Sequence, residues 1–249
     1  MLSKSQISFV KSLHQKKFRK EHRLFIVEGI KSVTEFIHSD YLVTEVYCTE
    51  NVMPKLLNLP QKIKLHQVSA NDLDRISTLN SPQNVLALVQ FPEAKDIETS
   101  ELIGSFTLAL DGIQDPGNLG TIIRTADWFG ISQIICSPDC VEVYNPKVVQ
   151  ATMGSLCRVK ISYADLPGVL KKSKIPVFGA MLHGTAITKT DFGTEGIIVL
   201  GNEGNGISDA VVAEIHQKVT IPGVGKAESL NVAVSASLFC YEALRNNLK

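Results

Sequence analysis

The chain has 249 residues, of which 44% are hydrophobic, so it holds enough apolar material for one large domain or for a small and a medium domain together. Its formal net charge is +0 at pH 7, which argues against a uniformly basic nucleic-acid-binding protein and leaves any polyanion-binding surface to local clusters of charge. The five cysteines form no CxxC pair, so reduced, mostly buried thiols and no metal site are predicted. Neither a signal peptide nor an apolar run of about 18 residues is present, which favours a cytoplasmic protein without a membrane segment.

A strongly basic segment lies near the start of the chain, between Lys11 and Arg23, where Glu21 is the single acid. One interpretation is a solvated helix face, and the other is a patch that contacts phosphates. The two interpretations predict different responses of binding to salt. The candidate phosphate-contacting residues are Lys16, Lys17, Arg19, Lys20 and Arg23.

The segment that follows alternates strand and helix patterns and predicts a small α/β domain. Predicted strands cover residues 24–27, 42–48, 62–68 and 85–89, and predicted helices cover 30–38 and 70–79. A polar, acidic stretch without an apolar period follows, and we interpret it as a linker. The predicted division is a small domain over 1–91, a linker over 92–104 and a larger domain over 105–249.

The larger domain contains short apolar runs typical of buried parallel strands, separated by helical patterns. The predicted strands cover residues 106–110, 133–136, 177–180, 197–200 and 218–221. The predicted helices cover 119–129, 146–152, 166–172, 209–215 and 232–244. This alternation predicts an α/β fold with a parallel sheet covered on both faces. Such sheets bind ligands at the carboxyl ends of their strands, so the loops there are the candidate sites.

The first candidate loop, DGIQDPGNLG, follows the predicted strand at 106–110. Its Asp, Pro and Gly residues are typical of a turn, and Asn118 stands where an N-cap is expected. Arg124 lies inside the following helix, beside the apolar Ile122 and Ile123. A surface arginine whose stem covers an apolar face and an arginine that clamps an anion both fit this pattern.

The second candidate loop, LGNEGNGIS, begins at Leu200 and contains the lone carboxylate of Glu203 among three glycines. Glycines at this density permit positive φ angles and a close approach of a ligand to the backbone. Their GxxGxG order differs from the GxGxxG order of dinucleotide-binding loops, and no GxxxxGK[ST] phosphate loop occurs in the chain. An ordinary nucleotide-dependent enzyme is therefore poorly supported.

The third candidate loop, IPGVGKAESLN, begins at Ile221 and enters the last predicted helix through Ser229 and Asn231. Both residue types cap helices, so a purely structural role also fits them. Each of the three loops is ambiguous when it is considered alone.

Taken in order, these segments resemble the signature motifs of the SpoU (TrmH-like) family of RNA ribose 2′-O-methyltransferases, within the SPOUT superfamily. DPGNLGTIIRTA is similar to the first motif, LGNEGNGIS to the second and IPGVGKAESLNVAVSAS to the third. NPKVVQATMGSLCRV resembles the segment between the first two motifs, and KKFRKEHRLFIVEGIKSV resembles the start of the small substrate-binding domain of many members. The resemblance covers nearly the whole chain.

The resemblance implies a parallel α/β domain with a C-terminal deep trefoil knot, preceded by a small α/β substrate-binding domain. It also implies a homodimer and S-adenosylmethionine as the cofactor, with no metal. The cofactor-binding residues implied by the motifs are Leu200, Gly201, Gly204, Ile221 and Leu230. The implied catalytic residues are Arg124, Asn118, Glu203, Ser229 and Asn231.

Arg124 matches the arginine that is proposed, in relatives, to help deprotonate the 2′-hydroxyl together with an RNA phosphate. A guanidinium with a pKa above about 12 is a poor base at neutral pH. We therefore expect Arg124 to position a phosphate and to stabilise developing negative charge.

The implied substrate is RNA, with large-subunit ribosomal RNA favoured over transfer RNA. Recognition is expected to involve the small domain and unpaired nucleotides. The alternatives are a transfer RNA methyltransferase and a catalytically silent RNA-binding protein of the same fold. The silent protein would show a damaged first or third motif, whereas Arg124, Glu203 and Asn231 are all present.

Overall fold

The structure is a computed structural model, and the contacts between its residues divide the chain into two compact units. The first unit contains residues 1–93 and 142–157, and the second contains 94–141 and 158–249. The described residues are 2–56, 60, 62–93 and 97–245. None of the helices in these ranges is both long and apolar enough to cross a membrane.

The first unit is built around a four-stranded sheet with helices packed on it. Its helices are α1 (Lys4–Ser12), α2 (Lys16–His22), α3 (Ile30–Ile37) and α4 (Ala70–Ile76), and its strands are β1 (Leu24–Glu28), β2 (Val43–Cys48), β3 (Lys64–Gln67) and β4 (Val85–Gln90). The strand order is β1-β4-β2-β3. Strands β2 and β3 are parallel, whereas β4 is antiparallel to both of its neighbours.

Helix α1 begins at a capping box in which Ser3 accepts from the backbone N–H of Gln6 and the Gln6 side chain accepts from the backbone N–H of Ser3. Its Ile7 and Val10 side chains are buried in a core that also contains Leu73 of α4. These contacts place α1 and the basic helix α2 within the folded body of the first unit.

The prediction that Arg19 contacts phosphates is wrong for this structure. Arg19 is only 2% exposed, and its Nη2 donates to Glu142 Oε2 over 2.6 Å. Its Nη1 donates to the carbonyl oxygens of Leu13 and His14 over 3.0 and 2.8 Å. A buried guanidinium needs such partners because an unpaired buried charge is costly. Arg19 therefore stabilises the first unit from inside.

The segment 142–157, which we predicted within the larger domain, clusters with the first unit. An aromatic contact accounts for part of this attachment: the Tyr144 ring lies 4.6 Å from the Phe25 ring and 4.2 Å from the Phe91 ring. Helix α6 (Pro146–Thr152) of this segment contacts β1. Aromatic pairs at these distances add stability beyond their buried area.

The predicted linker is partly folded into the second unit. Residues 94–96 lie outside the described residues, but Thr99–Leu102 forms a 3₁₀ helix. Leu102 is fully buried in a core with Ala109 and Ile135. Leu102 is an apolar residue in a polar stretch, and it packs in the core of the second unit. The linker therefore ends before residue 104, where the composition placed its end.

The second unit is built on a six-stranded parallel sheet, which confirms the predicted α/β fold with a parallel sheet. Its strands are β5 (Phe106–Asp111), β6 (Gln133–Cys136), β7 (Lys160–Tyr163), β8 (Val177–Ala186), β9 (Gly196–Gly201) and β10 (Gln217–Thr220), and its helices are α5 (Pro116–Trp128), α7 (Leu166–Lys172), α8 (Asp209–Val212) and α9 (Val232–Leu244). The order is β10-β8-β9-β5-β6-β7, and each strand runs parallel to its neighbours. The central strands β5 and β9 are buried along almost their whole length.

Several elements of the second unit differ from the sequence-based predictions. Strand β7 was not predicted, because it lies at the edge of the sheet and lacks a continuous apolar run. Strand β8 continues to Ala186, through exposed positions that pair with β10. Helix α8 ends at Val212, three residues before the predicted end.

Candidate active site

The first and second loops leave two neighbouring strands and are joined by hydrogen bonds. Asp111 and Gly201 are register partners at the carboxyl ends of β5 and β9. Asp111 Oδ2 accepts from the backbone N–H of Ser208 over 2.7 Å, and Asn202 Nδ2 donates to the Gly112 carbonyl oxygen over 2.8 Å. The two loops therefore form one connected surface at this edge of the sheet.

The second loop folds back on itself around Asn202. The backbones of Asn202 and Gly206 form a bridge, and Asn202 Oδ1 accepts from the N–H groups of Gly204 and Asn205 over 2.9 and 3.0 Å. A Cβ at Gly201 would overlap the backbone of Gly206 and Ile207. Only glycine permits this close approach.

Helix α5 begins earlier than predicted, and Asn118 is not its N-cap. Asp115 caps the helix by accepting from the Asn118 backbone N–H over 2.8 Å, with Pro116 in the first turn. Proline suits this position because its missing N–H would have no helical partner. The Asn118 side chain is consequently free for contacts outside its own helix.

Asn118 connects the first, second and third loops through its amide group. Its Nδ2 donates to Glu203 Oε1, and its Oδ1 accepts from Asn231 Nδ2 over 3.0 Å. Asn231 caps α9, as its residue type predicted, by accepting from Ala233 and Val234 backbone N–H groups. The amide of Asn118 thereby holds a carboxylate from one loop and a helix cap from another.

Helices α5 and α9 lie side by side with their N-termini together. Besides the Asn118–Asn231 bond, Thr125 Oγ1 and Ser237 Oγ are 3.2 Å apart, and the Phe129 and Tyr241 rings are 6.5 Å apart. These pairs follow one another along both helices in the same direction, so the helices run parallel. Both helix N-termini, which favour negative charge, consequently face the loop surface.

The remaining predicted catalytic and cofactor-binding residues lie on the same unit but outside this network. Arg124 is exposed on α5 and, within the described ranges, makes no hydrogen bond or ion pair. Ser229 is exposed and Leu230 is 49% exposed in the third loop. Leu200 is buried at the end of β9, Ile221 is half-buried and Gly204 is exposed. The geometry therefore brings Asn118, Glu203 and Asn231 into contact, but not Arg124 or Ser229.

Cys140 lies beside the first loop and has an altered acidity. A hydrogen bond from Cys136 lowers the pKa of the Cys140 thiol to about 7, although burial opposes this shift. The backbone N–H of Ile113 also donates to Cys140 Sγ over 3.2 Å. The same pairing, together with burial, raises the pKa of Cys136 well above its usual value. The predicted assignment of the thiols as mostly buried agrees with four of the five being buried.

Sequence reasoning did not single out Asp111 or Asn202, which hold the two loops together. Asp111 was visible as an acid at the end of an apolar run, and Asn202 as an asparagine inside a glycine-rich loop, where its side chain commonly bonds the nearby backbone. No metal-binding group of three or more His, Cys, Asp or Glu side chains occurs in the part of the chain that the structure describes.

A parallel sheet with three glycine-bearing loops at the carboxyl ends of its strands, and a fixed carboxylate among them, is typical of a ligand-binding α/β domain. Models of two known protein families match two parts of the chain. Residues 105–241 match the SpoU rRNA methylase family, and residues 4–87 match the MRM3-like substrate-binding domain. The chain belongs to the SpoU family.

Individual relatives match this chain over nearly its whole length. A 23S rRNA (guanosine(2553)-2′-O)-methyltransferase of Bacillus subtilis is 30% identical over 93% of this chain and 92% of its own length. The structure of a TrmH-family protein from Porphyromonas gingivalis is 39% identical, with a TM-score of 0.90 over 99% of each chain. An S-adenosylmethionine-bound rRNA methyltransferase from Sinorhizobium meliloti is 27% identical, with a TM-score of 0.90 over 100% of this chain and 97% of that one.

Proposed function

We propose that this protein transfers a methyl group from S-adenosylmethionine to a ribose 2′-hydroxyl of RNA. The observation that supports this most directly is the Asn118–Glu203–Asn231 contact, since it joins all three family motifs at the carboxyl edge of the sheet. Such an edge is where open α/β sheets bind their ligands.

The residues of the loop surface suit S-adenosylmethionine in their chemistry. A Cβ at Gly223 or Gly225 would meet nothing within 4 Å, so these glycines leave the backbone open to a ligand. Leu230 and Ile221 offer apolar side-chain surface for an adenine ring, and Gly201 and Gly204 offer backbone groups. When bound, the cofactor supplies a methyl group already activated by a sulfonium.

The residues of the network then align the nucleophile. Asn118 fixes Glu203 through Oε1, and Glu203 Oε2 makes no hydrogen bond within the described part of the chain. This oxygen accepts a hydrogen bond from the ribose, while Asn231 holds the third loop against the first. The exposed hydroxyl of Ser229 helps to orient the ribose. Orienting two reactants in this way removes much of the entropic barrier to their reaction.

Arg124 completes the site as a fixed cation. Its exposed guanidinium binds an RNA phosphate beside the target ribose and stabilises the negative charge that develops on the 2′-oxygen as its proton passes to water. The 2′-oxygen would form its bond to the methyl group as the bond from sulfur breaks, and S-adenosylhomocysteine would be the leaving group. Because Arg124 has no partner in the described ranges, this role requires no existing ion pair to break.

Large-subunit ribosomal RNA is the favoured substrate over transfer RNA. The Bacillus subtilis 23S enzyme aligns with almost the whole of this chain, including the region that matches the substrate-binding domain model. A ribosomal substrate also favours a cytoplasmic location. A catalytically silent protein remains the less favoured alternative, because the three motifs are intact.

We propose that the exposed cations of α2 and of its C-cap contact RNA phosphates and that the buried Arg19 does not. These residues are Lys16, Lys17, Lys20 and Arg23. Replacing all four with Ala should weaken RNA binding and should flatten the plot of log affinity against log salt by roughly 0.7 for each lost contact. Fluorescence anisotropy with single-stranded RNA measures this slope.

The matched control replaces three exposed lysines of the second unit, Lys171, Lys172 and Lys174, with Ala. The slope should stay within error of wild type in that variant. Equal slopes for the α2 variant and the wild type would eliminate the basic helix as a phosphate contact.

A homodimer is proposed to form through the exposed apolar face of α9. Val234, Leu238 and Tyr241 are 49%, 40% and 53% exposed and are spaced to share one face, and Trp128 of the adjoining α5 is 84% exposed. Leu238→Glu should convert the dimer to a monomer because it buries an unpaired charge. Analytical ultracentrifugation distinguishes the two states, with Ile103→Glu as a control at another exposed apolar position.

A monomeric wild type, or a dimer that survives Leu238→Glu, would contradict this interface.

The C-terminal trefoil knot implied by the family is also part of the proposal. The high TM-scores over nearly full-length relatives support it.

The direct test of the activity is an in vitro assay with purified protein and cofactor labelled in its methyl group. Unmodified 23S ribosomal RNA and total transfer RNA are supplied separately, and nuclease digestion locates the label. We expect label in a 2′-O-methyl nucleoside from 23S RNA. Label on a base would contradict the proposed acceptor, and label in transfer RNA alone would favour the alternative substrate.

A further inference from the structure

A polar pocket lies in the first unit, where strands β2 and β3 end and strand β4 begins. Its volume is about 810 Å³, which falls within the roughly 300–1,000 Å³ of pockets that hold small ligands. The lining residues are Thr49, Glu50, Asn51, Gln67, Val68, Ser69, Ala70 and Asn84.

The floor of this pocket is fixed by hydrogen bonds. The Thr49 backbone N–H donates to the Asn84 carbonyl oxygen over 3.1 Å, and the Val68 N–H donates to the Cys48 carbonyl oxygen over 2.9 Å. Thr49 and Val68 are 8% and 5% exposed. The backbone at the floor of this open depression is therefore held in place by the sheet.

The rim of the pocket presents uncharged hydrogen-bonding groups of both kinds. The Thr49 hydroxyl donates to Asn51 Oδ1, which leaves the Asn51 amide NH₂ available as a donor. The exposed amides of Gln67 and Asn84, each a donor and an acceptor, make no hydrogen bond in the described part of the chain. Ser69 accepts from Asp72 N–H and keeps its own hydroxyl hydrogen for donation.

Asn84 occupies a backbone conformation that L-residues rarely adopt, with a φ of +61°. Asparagine tolerates this region better than most residues, and such strained positions cluster at functional sites. This backbone conformation fixes the position of Asn84 at the rim of the pocket.

The charges of the lining select the class of ligand. No Lys or Arg lines the pocket, and Glu50 is the single charged lining residue, so a phosphate would be repelled. Amide, hydroxyl and carboxylate groups instead match the mixed donor and acceptor edges of a nucleobase.

We propose that this pocket binds an unpaired nucleobase of the RNA substrate through Gln67, Asn84 and Asn51. The inference rests on the proposed function, since it names how the first unit selects RNA. The basic helix α2 precedes Leu24, which pairs with Gln90 at the far end of β4 from Asn84. The proposed phosphate contacts and base contacts thus lie at opposite ends of strand β4.

The test measures the binding of the full-length protein to a labelled 12-nucleotide single-stranded RNA of mixed sequence and to the same sequence in a duplex. The pocket variant combines Gln67→Ala with Asn84→Gly, because glycine keeps the left-handed backbone while removing the amide. Gln90→Ala, which removes an amide at the opposite edge, is the matched control. Thermal melts establish that all variants are folded.

We expect the pocket variant to bind the single strand at least about 10-fold more weakly, with no change in salt slope, because bases carry no charge. Duplex binding and the Gln90→Ala variant should match the wild type. Unchanged single-strand affinity, or an equal loss for single strand and duplex, would overturn the pocket as a base-binding site.

The methylation assay separates this inference from the proposed function. Methylation by the wild type, with full single-strand binding by the pocket variant, would overturn the pocket and leave the activity standing. Weaker single-strand binding by the pocket variant, without methylation of any RNA by the wild type, would support the pocket and remove the activity.

Discussion

Arg124→Ala should lower the rate constant for methyl transfer by roughly 10²–10³-fold, the loss typical of removing a group that stabilises developing charge. Arg124 is exposed and makes no ion pair in the described ranges, so its removal should leave the fold and the affinity for S-adenosylmethionine close to wild type. Single-turnover assays with 23S RNA give the rate constant, and calorimetry gives the cofactor affinity.

Arg124→Lys tests why an arginine is needed. Lysine keeps the positive charge but loses the planar, bidentate geometry with which a guanidinium binds phosphate. We expect it to recover only a small part of the lost rate. Near-normal turnover would show that a point charge is sufficient, and an undiminished rate in Arg124→Ala would exclude Arg124 from the chemistry.

Gly201→Ala should disrupt the cofactor loops, since its Cβ would overlap backbone atoms of Gly206 and Ile207, which cannot move aside as a side chain can. Overpacking of this kind costs about 1–3 kcal/mol, which corresponds to a fall in Tm of roughly 2–4 °C for each kcal/mol in a chain of this size. The affinity for S-adenosylmethionine should fall with it, as measured by calorimetry.

Gly204→Ala is the matched control for stability, because its Cβ would meet nothing closer than Asn202 Oδ1 at 3.5 Å. Its Tm should remain within about 2 °C of wild type, as expected for a surface substitution without overlap. Equal melting temperatures for Gly201→Ala and wild type would show that the second loop is less tightly packed than the structure indicates.

Most elements of the fold were predictable because their residues follow simple periods. The apolar runs of β5, β6 and β9 and the helical pattern of α9 agree with the structure to within a residue or two. Strand β7 escaped because an edge strand buries few side chains. The attachment of residues 142–157 to the first unit depends on Tyr144 meeting Phe25 and Phe91, which no local pattern reveals.

The candidate site was predictable as a set of loops but not as a set of contacts. Motif resemblance named Asn118, Glu203 and Asn231, whereas their hydrogen bonding depends on where two separate strands end. Arg19 shows the opposite error. Its basic neighbours predicted a surface role, but Glu142, distant in sequence, provides a buried partner that no spacing rule anticipates.

The most direct test of the proposed activity is a transcriptome-wide map of ribose 2′-O-methylation in cells with and without this gene, complemented with wild-type or Arg124→Ala protein. We expect one site in large-subunit ribosomal RNA to disappear without the gene and to return only with the wild-type protein. An unchanged map in cells lacking the gene would contradict the assignment of this protein as an RNA ribose methyltransferase.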